Sequence, residues 1–150
     1  MSNQRTGQRG YVGNRASQAQ GRATVLDASK YAQEAEKIIV RDDVEALVRL
    51  AEQLATTGAT RTSVRRLYCE ARRIDFLLDK DRQRALRRAR LLEPRLNYQV
   101  KRDKNLRELG STLVAMVQQV GAASGAEEGQ RRYRRLADFF EAVVAYLPEK

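Results

Sequence analysis

The sequence lacks the residues on which many enzymes depend. Among its 150 residues there is no histidine, no tryptophan, one cysteine and two prolines. Without histidine, the chain cannot form a Ser-His-Asp triad, an imidazole general base or a Cys/His zinc site. The single thiol, Cys69, has no partner in the chain for a disulfide. These absences exclude most familiar hydrolase mechanisms, so we expect a protein that is not an enzyme and that needs no metal and no cofactor.

Long apolar runs are also missing. No window approaches the ~18 apolar residues of a membrane-spanning helix, and the first 26 residues lack the apolar core of a secretory signal. Together with the free thiol, these features predict a cytoplasmic protein that does not contact membranes. At this length, one domain can bury a hydrophobic core without disulfides or metals.

Residues 1–26 differ in composition from the rest of the chain. They consist mainly of Gln, Gly, Asn, Arg and Ser, and they carry four arginines and no acid. This composition predicts a disordered basic tail in front of a single domain at 27–150. The Arg-Gly dipeptides fit weak RNA contact, and they fit a solubilising tail equally well.

From Asp27 onward, apolar residues recur at helical spacing and nowhere alternate as in a strand. We therefore predict an all-α fold, a compact bundle of about five to six helices. A first helix spans 29–40, and a second begins with Asp42 as N-cap and Glu45 in a capping box. Its predicted inward residues are Val44, Leu47, Val48, Ala51 and Leu54.

A third helix is capped by Thr60 or Thr62, with Val64, Leu67, Tyr68, Ala71, Ile74 and Leu78 inward. A very basic helix follows at 79–92, and Pro94 fits the first turn of a short helix that reaches Arg102. The clearest apolar stripe comprises Leu106, Leu109, Leu113, Met116, Val117 and Val120. After a predicted loop at 121–129, the last predicted helix spans 130–147. Pro148 stops it.

Charge is abundant and unevenly distributed. The net charge is +10, with 23 arginines against 6 lysines, and this ratio suits either phosphate binding by guanidinium groups or a GC-rich genome. Residues 59–107, which we call the basic segment, hold 16 cations and 6 acids. The net charges of the residues before and after this segment sum to zero. A localised excess of this size favours a polyanionic partner.

The candidate binding residues lie on predicted helix surfaces inside the basic segment. The pairs Arg65/Arg72 and Arg66/Arg73 are seven residues apart, so they form a ridge opposite the core stripe. Arg87 and Arg88 belong to the next helix, and Arg95, Tyr98 and Arg102 share one face after Pro94. Such helices can contact phosphates without reading bases.

Each of these residues also has a structural interpretation. The arginines could lie along helix surfaces and pair with Glu70, Asp75, Asp79 or Asp81. Cys69 is either activated by the surrounding arginines or a small helix-packing residue. Tyr98 is either a packing aromatic or a platform for a base.

Four segments resemble the small subunit family of type III-A CRISPR-Cas (Csm) effector complexes. They are Tyr31-Ala-Gln-Glu-Ala-Glu-Lys-Ile-Ile39, Thr60-Arg-Thr-Ser-Val-Arg-Arg-Leu-Tyr68, Leu91-Leu-Glu-Pro-Arg-Leu-Asn-Tyr-Gln-Val-Lys-Arg102 and Phe139-Phe-Glu-Ala-Val-Val-Ala-Tyr146. No single segment is specific, but their order and spacing agree with the family. The tail before Asp27 and the ending at Leu147-Pro-Glu-Lys depart from it.

The resemblance implies a non-catalytic helical subunit that contacts the backbone phosphates of guide RNA (crRNA) and target RNA. Its implied partners are the backbone and large polymerase-like subunits and further copies of itself in a filament. The residues that match the family's basic positions are Arg65, Arg66, Arg95 and Arg102, whereas Arg72, Arg73, Arg87 and Arg88 are added from the charge pattern alone. The alternative is a freestanding helical DNA-binding or nucleoid-associated protein.

Overall fold

A computed structural model describes residues 26–148, and it contains helices and no strands within that range. The first helical segment, 28–40, consists of a 3-10 turn at Ala28–Tyr31, an α-helical turn at Ala32–Ala35 and a π-helical turn at Glu36–Val40. Six α-helices follow: α1 Val44–Leu54, α2 Arg61–Lys80, α3 Arg82–Arg90, α4 Leu92–Arg102, α5 Arg107–Gly121 and α6 Ala126–Tyr146. A 3-10 turn, Lys104–Leu106, precedes α5.

This architecture confirms the all-α bundle. The predicted tail at 1–26 lies outside the described residues, apart from Leu26, which packs against the core. None of the described helices is long and apolar enough to cross a membrane.

Helix α5 lies at the centre of the bundle. Its residues 109–117 are all buried, and it packs against the first helical segment, α3, α4 and α6. The predicted apolar stripe forms one side of this helix. Its polar side is buried too, because the Ser111 Oγ accepts from the Asp27 N–H at 3.0 Å and the Thr112 hydroxyl donates to the Glu108 carbonyl at 2.9 Å.

The predicted start of α1 is wrong by one residue. Asp43, not Asp42, is the N-cap, and its Oδ1 accepts from the Ala46 N–H at 3.0 Å. Asp42 instead has a φ of 59°, which reverses the chain after the π-helical turn. Aspartate tolerates this left-handed region better than most residues.

The inward face of α1 also differs from the prediction. Val44 and Val48 are 60% and 38% exposed, while Ala46 and Leu50 take their places in the core beside Leu47, Ala51 and Leu54. Alternative apolar stripes exist on this short helix, and packing against α6 selects the one that contains Leu50.

The loop between α5 and α6 is shorter than predicted. It covers residues 122–125, and α6 begins at Ala126. Gly125 has a φ of 118°, a backbone conformation that residues other than glycine rarely adopt. It is the last residue of the loop before the helix. The small residues after it are helical because α6 packs closely on α3, where Gly129 faces Leu86.

Two arginines of α6 bind the ends of other helical elements. Arg132 Nη1 donates to the Gln119 carbonyl in the last turn of α5 at 2.7 Å. Arg135 Nη1 donates to the carbonyls of Ile39 and Val40 at 2.9 and 3.3 Å, at the end of the first helical segment. The final carbonyls of a helix have no intrahelical donor and carry the negative end of its dipole, so both contacts are favourable.

The two residues between these arginines bind α2. The Tyr133 hydroxyl donates to the Ala71 carbonyl at 2.8 Å in the buried core, and desolvation by burial raises the pKa of Tyr133 above its ordinary value. Arg134 pairs with Asp75 at 3.2 Å and with Asp79 at 2.6 Å. Residues 132–135, which we call the α6 quartet, therefore join α6 to three other elements.

We expect Tyr133→Phe to lower the free energy of unfolding by about 1 kcal/mol, as is typical for one buried hydrogen bond. The loss stays small because the Ala71 carbonyl retains its partner within α2. Urea denaturation followed by circular dichroism measures the change. The matched control is Tyr146→Phe, since Tyr146 is 42% exposed, and equal effects at both positions would contradict a structural role for the Tyr133 hydroxyl.

Glu108 joins the start of α5 to the first helical segment. Its carboxylate accepts from the Tyr31 hydroxyl and pairs with Lys30 Nζ at 2.9 Å. The hydrogen bond from Tyr31, followed by the one from Lys30, lowers the pKa of Glu108 below its ordinary value of 4.5.

Because the pKa of Glu108 is lower in the folded state, its contribution to stability is present above pH 4.5 and is lost as the pH falls through the folded-state value. We expect Glu108→Gln to reduce the drop in stability between about pH 6 and about pH 3. Urea denaturation at both pH values measures it. Glu52→Gln, at an exposed position of α1, should leave the drop unchanged, and a similar change in both variants would contradict the assignment.

Candidate nucleic-acid interface

The four predicted arginines of α2 lie on the surface opposite its core stripe. Arg65, Arg66 and Arg73 are exposed, and Arg72 is half-buried. The buried stripe consists of Val64, Leu67, Ala71, Ile74 and Leu78. The structure therefore agrees with the predicted helix face, but it gives Arg72 a different environment from the other three arginines.

Arg72 is held against aromatic side chains. Its Nη1 donates to the Tyr68 hydroxyl at 2.9 Å, and its guanidinium carbon lies 5.7 Å from the ring centre of Tyr68 and 5.0 Å from that of Phe76. The hydrogen bond to Tyr68 raises the pKa of Arg72 above its ordinary value. Tyr68 in turn packs on Phe140, with ring centres 5.5 Å apart. These contacts restrict the Arg72 side chain, and Phe76 beside it is 60% exposed.

Arg73 and Arg95 meet at one carboxylate. Glu70 Oε1 lies 3.3 Å from Arg73 Nη1, and Glu70 Oε2 lies 3.3 Å from Arg95 Nη1. The arginine side chains are 74% and 58% exposed, so both retain donors that face solvent. One acid thus connects α2 to α4 while the two arginines leave a positive charge at the surface.

A second side-chain link joins the same two helices. The Ser63 hydroxyl donates to Asp103 Oδ2 at 3.2 Å, next to the end of α4. Ser63 of α2 thus meets Asp103 just after α4, and Glu70 of α2 meets Arg95 of α4. We call the line between these two side-chain contacts the α2–α4 seam. Arg66 lies on α2 between the two links, and Arg95 and Arg102 lie on α4.

The exposed side of α2 beside this seam forms a groove of about 410 Å³. We call it the α2 groove, and it is lined by Thr62, Arg65, Arg66, Cys69, Glu70 and Arg73. Cys69 is exposed, so the interpretation of this residue as a helix-packing cysteine is wrong. A small side chain at this position leaves room between the flanking arginines.

Tyr98 is also not a core aromatic. It is 57% exposed, and Arg102 lies over its ring with the guanidinium carbon 5.8 Å from the ring centre and Nη1 3.4 Å from the hydroxyl. The packing interpretation of Tyr98 is therefore wrong. Arg102 and Tyr98 form one exposed pair on α4.

Arg87 and Arg88, the two predicted binding residues of α3, do not line the α2 groove. Arg87 and Arg88 are exposed, and no ion pair of either is found within 26–148. Arg87 lines a separate groove between α3, α5 and α6. The helix faces Ala85 and Ala89 toward the core, so its arginines point away from the protein interior.

Sequence reasoning did not separate surface arginines from structural ones. Helix α6 carries four arginines and α2 carries five, yet Arg132, Arg134 and Arg135 bind acids and carbonyls of other helical elements. The exposed aromatic Phe76 is not among the predicted residues, although its position four residues after Arg72 places it on the same helix face.

The fold and the charge distribution define a small, basic helical-bundle protein with exposed arginines on α2, α3 and α4. The family model described as Csm2 Type III-A matches residues 41–147. The chain therefore belongs to this family of small subunits of the type III-A CRISPR-Cas (Csm) effector complex. Neither a curated protein nor a solved structure matches the chain.

The match locates the four segments of the sequence resemblance. Those that begin at Thr60, Leu91 and Phe139 fall inside 41–147, whereas Tyr31-to-Ile39 precedes it. The α2 groove and the α2–α4 seam thus both lie within the part of the chain that the family shares.

We expect Cys69 in the folded protein to react stoichiometrically with a maleimide, because its thiol is exposed. Mass spectrometry measures the extent of labelling with and without urea. A Cys69→Ser variant provides the blank. A thiol that stayed unlabelled until urea was added would contradict its place on the surface of α2.

Proposed function

We propose that this small subunit is non-catalytic and binds the backbone phosphates of guide and target RNA without reading the bases, in the cytoplasm. Membership of the Csm complex follows from the family. The proposal for RNA rests on one observation, which is that the acids of the basic segment do not neutralise its cations.

Four of the six acids of that segment bind groups other than the cationic side chains of the segment. Asp75 and Asp79 both bind Arg134 of α6, while Asp81 and Asp103 accept hydrogen bonds at the starts of helical turns. Within the described residues, Glu70 is the one acid of the segment whose carboxylate pairs with arginines of the segment. The positive excess read from the sequence is therefore retained at the surface.

The α2–α4 seam supports a phosphate-binding role through its geometry. Arg66 and Arg73, like Arg95 and Arg102, are two helical turns apart, which corresponds to about 10 Å along a helix axis. Rigid helices hold these cations at fixed spacing on both sides of the seam. Guanidinium groups bind phosphate oxygens in pairs, so such rows suit a nucleic-acid backbone better than single lysines would.

We also propose an order among the eight candidate arginines, based on their contacts. The proposed primary contacts to RNA phosphates are Arg65, Arg66, Arg95 and Arg102. Arg73 is added to them because it pairs with Glu70 at the α2–α4 seam. Arg88 is exposed on α3 and remains a candidate. Arg72 is less suited because it is held by Tyr68 and Phe76, and Arg87 is less suited because it lines the other groove.

We expect Arg65→Gln with Arg66→Gln, and separately Arg95→Gln with Arg102→Gln, to weaken binding of single-stranded RNA. Each lost phosphate contact removes about 0.7 from the slope of log affinity against log salt, so each double variant should lose about 1.4. Fluorescence anisotropy across a salt series measures both affinity and slope. The effect should be similar for RNAs of different sequence, since phosphates carry no sequence information.

The matched control is Arg41→Gln with Arg49→Gln, which removes the same charge from exposed positions near and on α1. If this control weakened binding as much as the α2 and α4 variants, only net charge would matter and the proposed surface would be wrong. Tighter binding to duplex DNA than to single-stranded RNA would favour the freestanding DNA-binding alternative. Co-expression with the other Csm subunits should yield complexes that contain guide RNA.

A further inference from the structure

Phe76 is an aromatic side chain on the outer side of α2. Ile74 and Leu78, two residues away in either direction, are buried, and residues two apart in a helix lie on different sides. Phe76 is accordingly 60% exposed, and among the described residues of α2 it is the one large apolar residue on the surface. A single exposed apolar residue needs no explanation by itself, so its surroundings decide what it can bind.

The neighbours of Phe76 on this side of α2 are mainly cations. Arg72 and Arg73 lie one helical turn before it, and Lys80 lies one turn after it. Asp79, also one turn away, is paired with an arginine of α6. The central aromatic of a protein–protein contact is surrounded by a core depleted of charge, and Phe76 lacks such surroundings. An occupant that suits both the ring and the cations carries negative charge and an aromatic face of its own.

The ring of Phe76 is held by contacts that lead back to the core. The Arg72 guanidinium carbon lies 5.0 Å from the ring centre of Phe76 and 5.7 Å from that of Tyr68, and Arg72 Nη1 donates to the Tyr68 hydroxyl at 2.9 Å. Tyr68 packs on the buried ring of Phe140. A side chain that is already oriented loses less conformational freedom when it binds a ligand.

One face of the Phe76 ring is open to a ligand. Arg72 lies over the ring, and since the residue remains 60% exposed, the face away from Arg72 is in solvent. A nucleobase is flat and aromatic and stacks on a face of this kind, while its phosphates suit the surrounding cations. In a duplex, neighbouring base pairs cover the faces of each base. The available partner is therefore an unpaired nucleotide.

We propose that Phe76 is a stacking platform for an unpaired base of RNA, with Arg73 at the adjoining phosphate. Arg73 lies three residues before Phe76, about 4.5 Å along the helix axis, and its side chain is 74% exposed. Arg72 is a positioning residue that orients the ring. The inference rests on the proposed RNA binding and adds a contact to a base. Stacking tolerates every base, so it agrees with binding that does not depend on sequence.

The α2 groove leads to this platform. Arg65, Cys69 and Arg73 line the groove, and Phe76 follows Arg73 by one helical turn. An RNA strand whose phosphates contact the arginines of the groove passes Phe76 at the end of the groove. The small side chain of Cys69 leaves room for the strand between the flanking arginines.

Fluorescence anisotropy of a short single-stranded RNA with the full-length protein tests the platform. Phe76→Leu keeps an apolar side chain but removes the aromatic face, so the affinity should fall about 5- to 150-fold, the range for one lost base–aromatic stack. Phe76→Tyr keeps the face and should bind within about twofold of wild type. The matched control is Tyr146→Leu, at an exposed tyrosine of α6, which should bind like wild type.

Two further measurements separate stacking from phosphate contacts. The slope of log affinity against log salt should be the same for Phe76→Leu and wild type, because no phosphate contact is lost. An abasic oligonucleotide of the same length offers no base to stack, so at low salt both proteins should bind it equally. Circular dichroism checks that each variant keeps its helical content.

The platform is overturned if Phe76→Leu binds single-stranded RNA like wild type, or if it loses as much affinity for the abasic oligonucleotide as for the intact RNA. Loss of Phe76→Leu from co-expressed Csm complexes with unchanged RNA affinity would make the ring a protein contact and would also overturn it. If the arginine variants of α2 and α4 still lower affinity and slope, the proposed function stands without the platform. A wild-type protein that does not bind single-stranded RNA would overturn both.

Discussion

The α6 quartet, residues 132–135, fixes the position of α6 against three other elements of the bundle. Its side chains reach the end of α5, the middle of α2 and the end of the first helical segment. Apolar packing alone allows helices to slide and rotate against one another, since it is not directional. Hydrogen bonds to particular carbonyls and carboxylates fix their relative positions, and here four consecutive residues supply bonds to three elements.

The same quartet shapes the surface charge. By binding Asp75 and Asp79, Arg134 draws two acids of the basic segment toward α6, and the arginines of α2 and α4 keep their charge at the surface. The interactions that hold the bundle together and the electrostatics of its exposed side are therefore coupled.

Local patterns predicted much of the fold. The structure confirms Thr60, one of the two predicted caps, the α5 stripe and the α2 core stripe apart from Tyr68, which is half-buried. Each of these features depends on spacing within a single helix. The errors occur where a neighbouring element decides. Val44 and Val48 fit an apolar stripe as well as Leu50 does, but α6 contacts the other side of α1. Tyr98 is exposed because α4 turns its Leu92, Leu96 and Val100 face toward the core.

By itself, the sequence determined the helical class, the absence of imidazole chemistry and the location of the excess positive charge, since these depend on composition and local spacing. It could not separate arginines that bind the protein from arginines that face solvent, because an arginine's partner is chosen by which helices become neighbours. Only the tertiary structure paired Arg134 and Arg135 with groups of other helical elements and left Arg65 and Arg66 exposed. It alone paired α2 with α4 through Glu70 and Arg95, since contacts between residues distant in sequence arise from packing and not from periodicity.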